Sequence, residues 1–228
     1  MSNIYLSCEA GSPLKEYLRN LGHSITEVAK TDCVYDAVSA HVDIYMCKLG
    51  AEPDAPVFKG DKAKLGFRYP ENIIYNATAV GRYFIHNTKY TDGELLAAAE
   101  RYINRKYGAA GNSIECIYTA QGYTKCNIAV IDDKHIITED EGIFRAVSEE
   151  TDIKVLLIAP KQVKLNGFPH GFIGGASGRV GNEILFNGDI TTHSDYAKIL
   201  RFIEGCGLAV KYFDYPLTDI GSIIEEKI

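Results

Sequence analysis

Tryptophan is absent from this 228-residue chain and methionine occurs only twice, whereas tyrosine occurs 15 times. With no indole available, tyrosines scattered over strand-like segments read as packing groups that keep one polar tip. Long apolar runs are also missing. No run exceeds that of Val155–Ala159, which is far too short to cross a bilayer, so no membrane partner is expected. No cluster of Lys and Arg stands out from a net charge of −6, which removes nucleic acid from the expected partners. The six cysteines, Cys8, Cys33, Cys47, Cys116, Cys126 and Cys206, show no C-x-x-C spacing. That excludes a zinc ribbon or a disulfide framework and points to reduced thiols in a cytoplasmic protein, with no metal and no cofactor. The segment starting at Met1 lacks a basic stretch followed by an apolar one, so no signal peptide is expected. No low-complexity tract or linker divides the chain, which reads as a single domain over residues 1–228.

What the chain does contain is an internal echo. A short glycine-edged segment recurs at 41–50, 72–81, 123–132, 172–181 and 217–225. Each copy follows a helix-like or loop segment and reads as a strand closing a unit of roughly 30 to 50 residues, the period of propellers and solenoids. Between copies the order strand, helix, strand repeats. Strands are expected at 4–7, 25–29, 83–86, 113–118, 135–138, 154–159, 183–186 and 208–213. Helices are expected at 13–21 with Ser12 as cap, at 93–107 capped by Thr91-Asp92, at 140–148, and at 194–206 with Ser194 and Asp195 at its start. The second unit, with only the strand-like segment 56–59, has no room for a helix. Its outer face is expected to be covered by a loop or by another subunit, a possible homo-oligomer contact. The pattern is mixed α/β, with the repeated strands gathered around a centre.

Five stretches carry a family resemblance: Tyr69-Pro-Glu-Asn-Ile-Ile-Tyr-Asn76, His86-Asn-Thr-Lys-Tyr-Thr-Asp92, Gly122-Tyr-Thr-Lys-Cys-Asn127, Gly171-Phe-Ile-Gly-Gly-Ala-Ser-Gly178 and Asp219-Ile-Gly-Ser-Ile-Ile224. Through them nearly the whole chain resembles an uncharacterised bacterial family of the guanidino-group-modifying (pentein) superfamily. The resemblance implies a five-bladed α/β propeller, here with a shortened second blade. In characterised penteins, inner-strand elements supply an acidic Glu-Gly-Gly-Asp turn, a His-x-Asp and a nucleophilic cysteine. His41-Val-Asp43 matches the second and Cys126 the third. The turn would fall at Ile173-Gly174-Gly175-Ala176, where the glycines match and both carboxylates are gone.

The resemblance implies a hydrolase of an amidino, guanidino or amide C–N bond, with Cys126 as nucleophile and His41 as general acid and base. Asp43, Asn76, Asn127, Ser177 and Asp219 would contact a small-molecule substrate. Lys125 or a protonated His41 would lower the thiol pKa, and solvent would reach Cys126 through a central funnel. The competing reading is a non-catalytic binding or scaffold protein that has lost the acidic turn, with Cys126 a small packed residue. Two weaker signals have structural explanations. Gly174–Gly178 lacks the lysine of a phosphate-binding loop, and Asp189, His193 and Asp195 fit a helix start better than a metal site.

Overall fold

The computed structural model describes residues 1–108 and 113–228. Strand β1 (Ser2–Ser7) leads into α1 (Ser12–Asn20) and then β2 (Ser24–Val28), which lies parallel to β1. Leu14 and Leu18, one helical turn apart, form the buried stripe of α1 and pack on Ile4 and Leu6. Gly11, not Ser12, takes the cap position of this helix, and a side chain at 11 would run into the Tyr215 ring. Strands β3 (Met46–Lys48) and β4 (Val57–Lys59) form an antiparallel pair without a helix of its own. The pattern then becomes regular. β5 (Thr78–Val80) pairs antiparallel with β6 (Tyr83–His86), and after α2 (Gly93–Tyr107), β7 (Glu115–Tyr118) returns parallel to β6. Asp92 caps α2 by accepting the Glu94 and Leu95 amides, and the helix buries Leu95, Ala99 and Ile103.

A four-residue turn, α3 (Thr124–Asn127), opens the next sheet, in which β8 (Ile128–Asp132) and β9 (His135–Thr138) are followed by α4 (Glu141–Glu150) and β10 (Lys154–Leu157). The same order returns in β11 (Ser177–Val180), β12 (Glu183–Phe186), α5 (Tyr196–Gly205) and β13 (Ala209–Lys211). Asp195 precedes α5 but caps no helical amide; its carboxylate accepts the Ala159 N–H at 2.7 Å. Finally β14 (Ile224–Lys227) pairs antiparallel with β1, so the first and last strands share a sheet. Among the described residues this is a mixed α/β fold of five sheets with two or three strands each. No helix among them is long and apolar enough to cross a membrane.

The echo behaves differently from its sequence reading. The first four copies each open a sheet instead of closing one, with strand only in their second half, whereas the last runs into β14 and joins the sheet that β1 begins. The first half is a tight turn, as in the 3-10 turn Val42–Ile44 and in α3. Polar side chains in these halves bond backbone amides of neighbouring copies (Asn76 to Lys125, Asp219 to Phe172), an alternative to the strand ladder. Of the strands that follow, β3 lies beside β5, β5 beside β8, β8 beside β11, and β11 beside β14. Lys48 on β3 donates to the Glu225 carbonyl on β14 at 2.8 Å. The helix-free β3–β4 pair is covered from within the chain: Phe58 packs on Tyr75 at 5.8 Å between rings, together with Leu65 and Tyr102 of α2.

Candidate active site

The turns that begin the copies converge. The imidazole of His41, a carboxylate oxygen of Asp43 and the thiol of Cys126 all lie within 4.8 Å of one another, and all three residues are buried. Cys126 Sγ donates to Asp43 Oδ2 at 3.0 Å, and Asn76 Nδ2 approaches the sulfur at 3.4 Å. The Asn76 carbonyl oxygen accepts the Lys125 and Cys126 amides, so this side chain holds α3 in place from the neighbouring copy. His41 Nδ1 is 3.7 Å from Asp219 Oδ1. Neither His41 nitrogen has a hydrogen-bond partner among the described residues, nor does Asp43 Oδ1. Buried polar atoms are almost always paired, so three unsatisfied ones on two residues beside the thiol leave hydrogen-bonding capacity unused at this centre.

Small residues make this convergence possible. The Asp219 carboxylate packs directly on Gly175, where a Cβ would overlap it, and accepts the Phe172 and Gly221 amides, each at 2.9 Å. A carboxylate from the last copy thus fills the space over the Gly174-Gly175 turn, whose own acids are missing. Gly221 adopts φ +69° with the His41 side chain against it. The next residue, Ser222, has φ +76°, a region costly for any residue with a side chain. Its hydroxyl lies 2.9 Å from both Asp43 Oδ2 and the Gly174 carbonyl and accepts from Lys125 Nζ at 3.0 Å. Ser222 is a central member of the network that the sequence reading does not single out; its only signal is its place after Gly221 in a motif copy.

The electrostatics depart from expectation. Burial, followed by the charges of Asp43 and Asp219, pushes the Cys126 thiol well above its ordinary value. Burial also lowers His41, with Asp43 opposing, which disfavours the imidazolium form expected of it. Lys125 is likewise lowered by burial, and its amine points to Ser222 and to backbone carbonyls. A thiol lowered by Lys125 or His41 is therefore not what this state contains. Burial raises Asp43, and it lifts Asp219 to about 6. Nor is Cys126 open to solvent: it is 2% exposed, and Cys116 is the exposed cysteine.

A cavity of about 180 Å³ leads to Cys126, His41 and Asp219, walled mainly by Tyr35, Tyr123, Leu165, Phe168 and Phe172. The Tyr35 and Tyr123 hydroxyls meet across it at 2.8 Å, with Asn72 donating to Tyr123. Of the residues expected to contact substrate, Asp219 lines this cavity, Asp43 lies behind it bonded to the thiol, and Asn76 serves Cys126. Asn127 and Ser177 are not brought there. Asn127 Nδ2 is taken by the Tyr123 carbonyl and Ser177 Oγ by the Ile173 carbonyl, so both buried side chains are already satisfied. The donor set His41, Asp43 and Cys126 is compact enough to share a metal ion, but the Lys125 ammonium, electrostatically coupled to Asp43 and Cys126, opposes a dication there. A second group, Asp132, His135 and Cys206, is one the sequence reading does not single out; Asp132 is already engaged by His135 at 2.8 Å and by the Lys134 amide.

The fold is pentein-like. Over 93% of this chain and 92% of the other it matches a crystal structure of a dimethylarginine dimethylaminohydrolase adduct with 4-chloro-2-hydroxymethylpyridine, with TM-score 0.51 and 13% identity. A cysteine-to-serine mutant of DDAH from Pseudomonas aeruginosa complexed with citrulline matches with TM-score 0.49 and 12% identity, over 93% and 91% of the two chains. At such identities the likeness concerns the fold alone. By sequence, the chain belongs to a family of unknown function (DUF6873), matched over residues 51–224. No curated protein matches it in sequence.

Proposed function

We propose that this chain is a five-bladed pentein hydrolase that cleaves a C–N bond of a cationic amidine or guanidine, using Cys126 as nucleophile and His41 as acid and base. The observation that carries this reading is the buried imidazole with two unpartnered nitrogens beside the thiol and Asp43. An amidinium seated against Asp43 and Asp219 would offset the charges that hold the thiol protonated. Cys126 Sγ would then pass its proton to His41 and attack the amidine carbon. The tetrahedral adduct collapses as the C–N bond breaks and His41 returns the proton to the leaving amine. Water, deprotonated by His41, adds to the thioester-like carbon, and the C–S bond breaks to restore the thiol and release an amide or urea. No Lys or Arg lines the cavity, so the far end of the substrate should be apolar or aromatic and not a free carboxylate. The work needs no metal or cofactor and fits a cytoplasmic protein acting on a small molecule.

The buried thiol and its raised pKa favour a second reading, a pentein that binds a ligand without chemistry. Chloroacetamidine and the neutral chloroacetamide separate the two. A hydrolase should be alkylated at Cys126 by the cationic reagent with saturable kinetics and at least tenfold faster than by the neutral one, and His41→Ala should abolish the preference. Equal, slow and unsaturable labelling by both reagents would leave only the binding protein.

A further inference from the structure

Further along the innermost strands, beyond Cys126, lies a second cavity of about 40 Å³. Every one of β3, β5, β8, β11 and β14 contributes to its wall, through Lys48, Thr78, Val130, Arg179 and Ile224, and Lys125 lines it as well. Among the described residues, none of the three cations there has a carboxylate within ion-pair distance, although Lys125 feels the charges of Asp43 and Asp219. Lys48 Nζ donates to the carbonyls of Glu225 and Pro53, and Arg179 donates to those of Gly181 and Ile131. Lys125 Nζ donates to the carbonyls of Ile128 and Gly174 and to Ser222 Oγ. The nearby Glu225 carboxylate is occupied by Ser2 Oγ and the Gly181 amide. Thr78, only 1% exposed, has a hydroxyl with no hydrogen-bond partner. Lys48 is pushed down to about 8 by burial, a shift that the Glu225 charge opposes and the neighbouring Arg179 adds to.

We propose that this cavity binds a small monovalent anion of halide size, held by Arg179, Lys48 and the Thr78 hydroxyl. The volume leaves no room for a sugar phosphate or a nucleotide, and the apolar wall of Val130 and Ile224 suits a weakly hydrated ion better than a phosphate. The site stands independently of the catalytic reading, because none of these three residues touches the Cys126 thiol. Thermal unfolding of the full chain, titrated with sodium chloride against sodium gluconate at constant ionic strength, tests it. Chloride should raise the midpoint saturably, and Arg179→Met and the near-isosteric Thr78→Val should each weaken the apparent affinity at least tenfold. Crystals soaked in bromide should show the ion in this cavity. A response equal in the wild type and in Thr78→Val, or bromide bound only elsewhere, overturns the proposal.

Discussion

The charge of Asp43 is the term in the site most open to direct measurement. Its carboxylate accepts the Cys126 thiol at 3.0 Å, and both groups are out of water. A unit charge about 4 Å from a sulfur opposes thiolate formation by about 4 kcal/mol at an effective dielectric near 20. Burial raises Asp43 itself, which makes the full figure an upper bound. We therefore take half of that figure, about 2 kcal/mol, which is roughly a thirtyfold gain in thiolate fraction when the charge is removed. Asp43→Asn keeps the shape of the side chain and leaves the Asn76 contact in place. The assay is the pH dependence of iodoacetamide alkylation, resolved by peptide mass spectrometry because Cys116 is exposed and will label readily. The variant should label Cys126 about thirtyfold faster at pH 7 and reach the same plateau rate at high pH. An unchanged rate at pH 7 would mean that Asp43 is protonated in the folded chain, and the electrostatic account of the thiol would fail. A raised plateau would instead report that the cavity had opened.

Glu139 supplies a pH test. Burial is the main cause lifting its carboxyl from 4.5 to about 7, and one carboxylate oxygen has no partner. A raised folded pKa means that stability is fully present below the unfolded value and lost as pH rises through about 7. Glu139→Gln should therefore stabilise the chain by up to about 3 kcal/mol at pH 8, with the gain gone by pH 4 in urea titrations; no gain at pH 8 would contradict the shift. Gly175→Ala should lower stability by about 1–3 kcal/mol, because the new methyl displaces the Asp219 carboxylate, and unaltered denaturation would refute that packing. Leu95→Ala, in the buried stripe of α2, should cost about 2–5 kcal/mol by the same measurement, and a change below 1 kcal/mol would be inconsistent with its complete burial.

The regular elements were legible because their signals are local. Asp92 before Gly93 and the stripe Leu95, Ala99, Ile103 define α2 without reference to anything distant, and α2 falls on the expected residues. The turns were not legible, because their cause lies elsewhere in the chain. Nothing near Thr124 predicts that Asn76 will hold the amides of Lys125 and Cys126, yet that contact helps make 124–127 a helical turn and not the start of a strand. For the same reason His41, Asp43 and Cys126 could be nominated by motif while their protonation could not. Burial dominates all three shifts, and burial is a property of the assembled centre. The strand pairing of β14 with β1 was also out of reach, since it joins residues more than 200 positions apart.

The count of charges around the thiol argues for the kind of ligand the site should take. Asp43 and Asp219 are buried together, and Lys125 is the cation that acts on both. Two acids against one base leave about one negative charge without a partner when both carboxylates ionise. The interior answers by raising the acids and the thiol, which is the cheaper course where charge is poorly solvated. A bound cation would act against all of these shifts together: it would lower Asp219, relieve the thiol of part of its repulsion and give the free oxygen of Asp43 a donor. A neutral amide would do none of this. Loss of the acids from the Gly174-Gly175 turn therefore does not by itself argue against a cationic substrate, because Asp219 brings a carboxylate to the same place from another part of the chain. Asp219→Asn should accordingly weaken labelling by chloroacetamidine while leaving labelling by chloroacetamide unchanged or faster. Equal losses with both reagents would show that Asp219 supports the geometry of the pocket and not its charge.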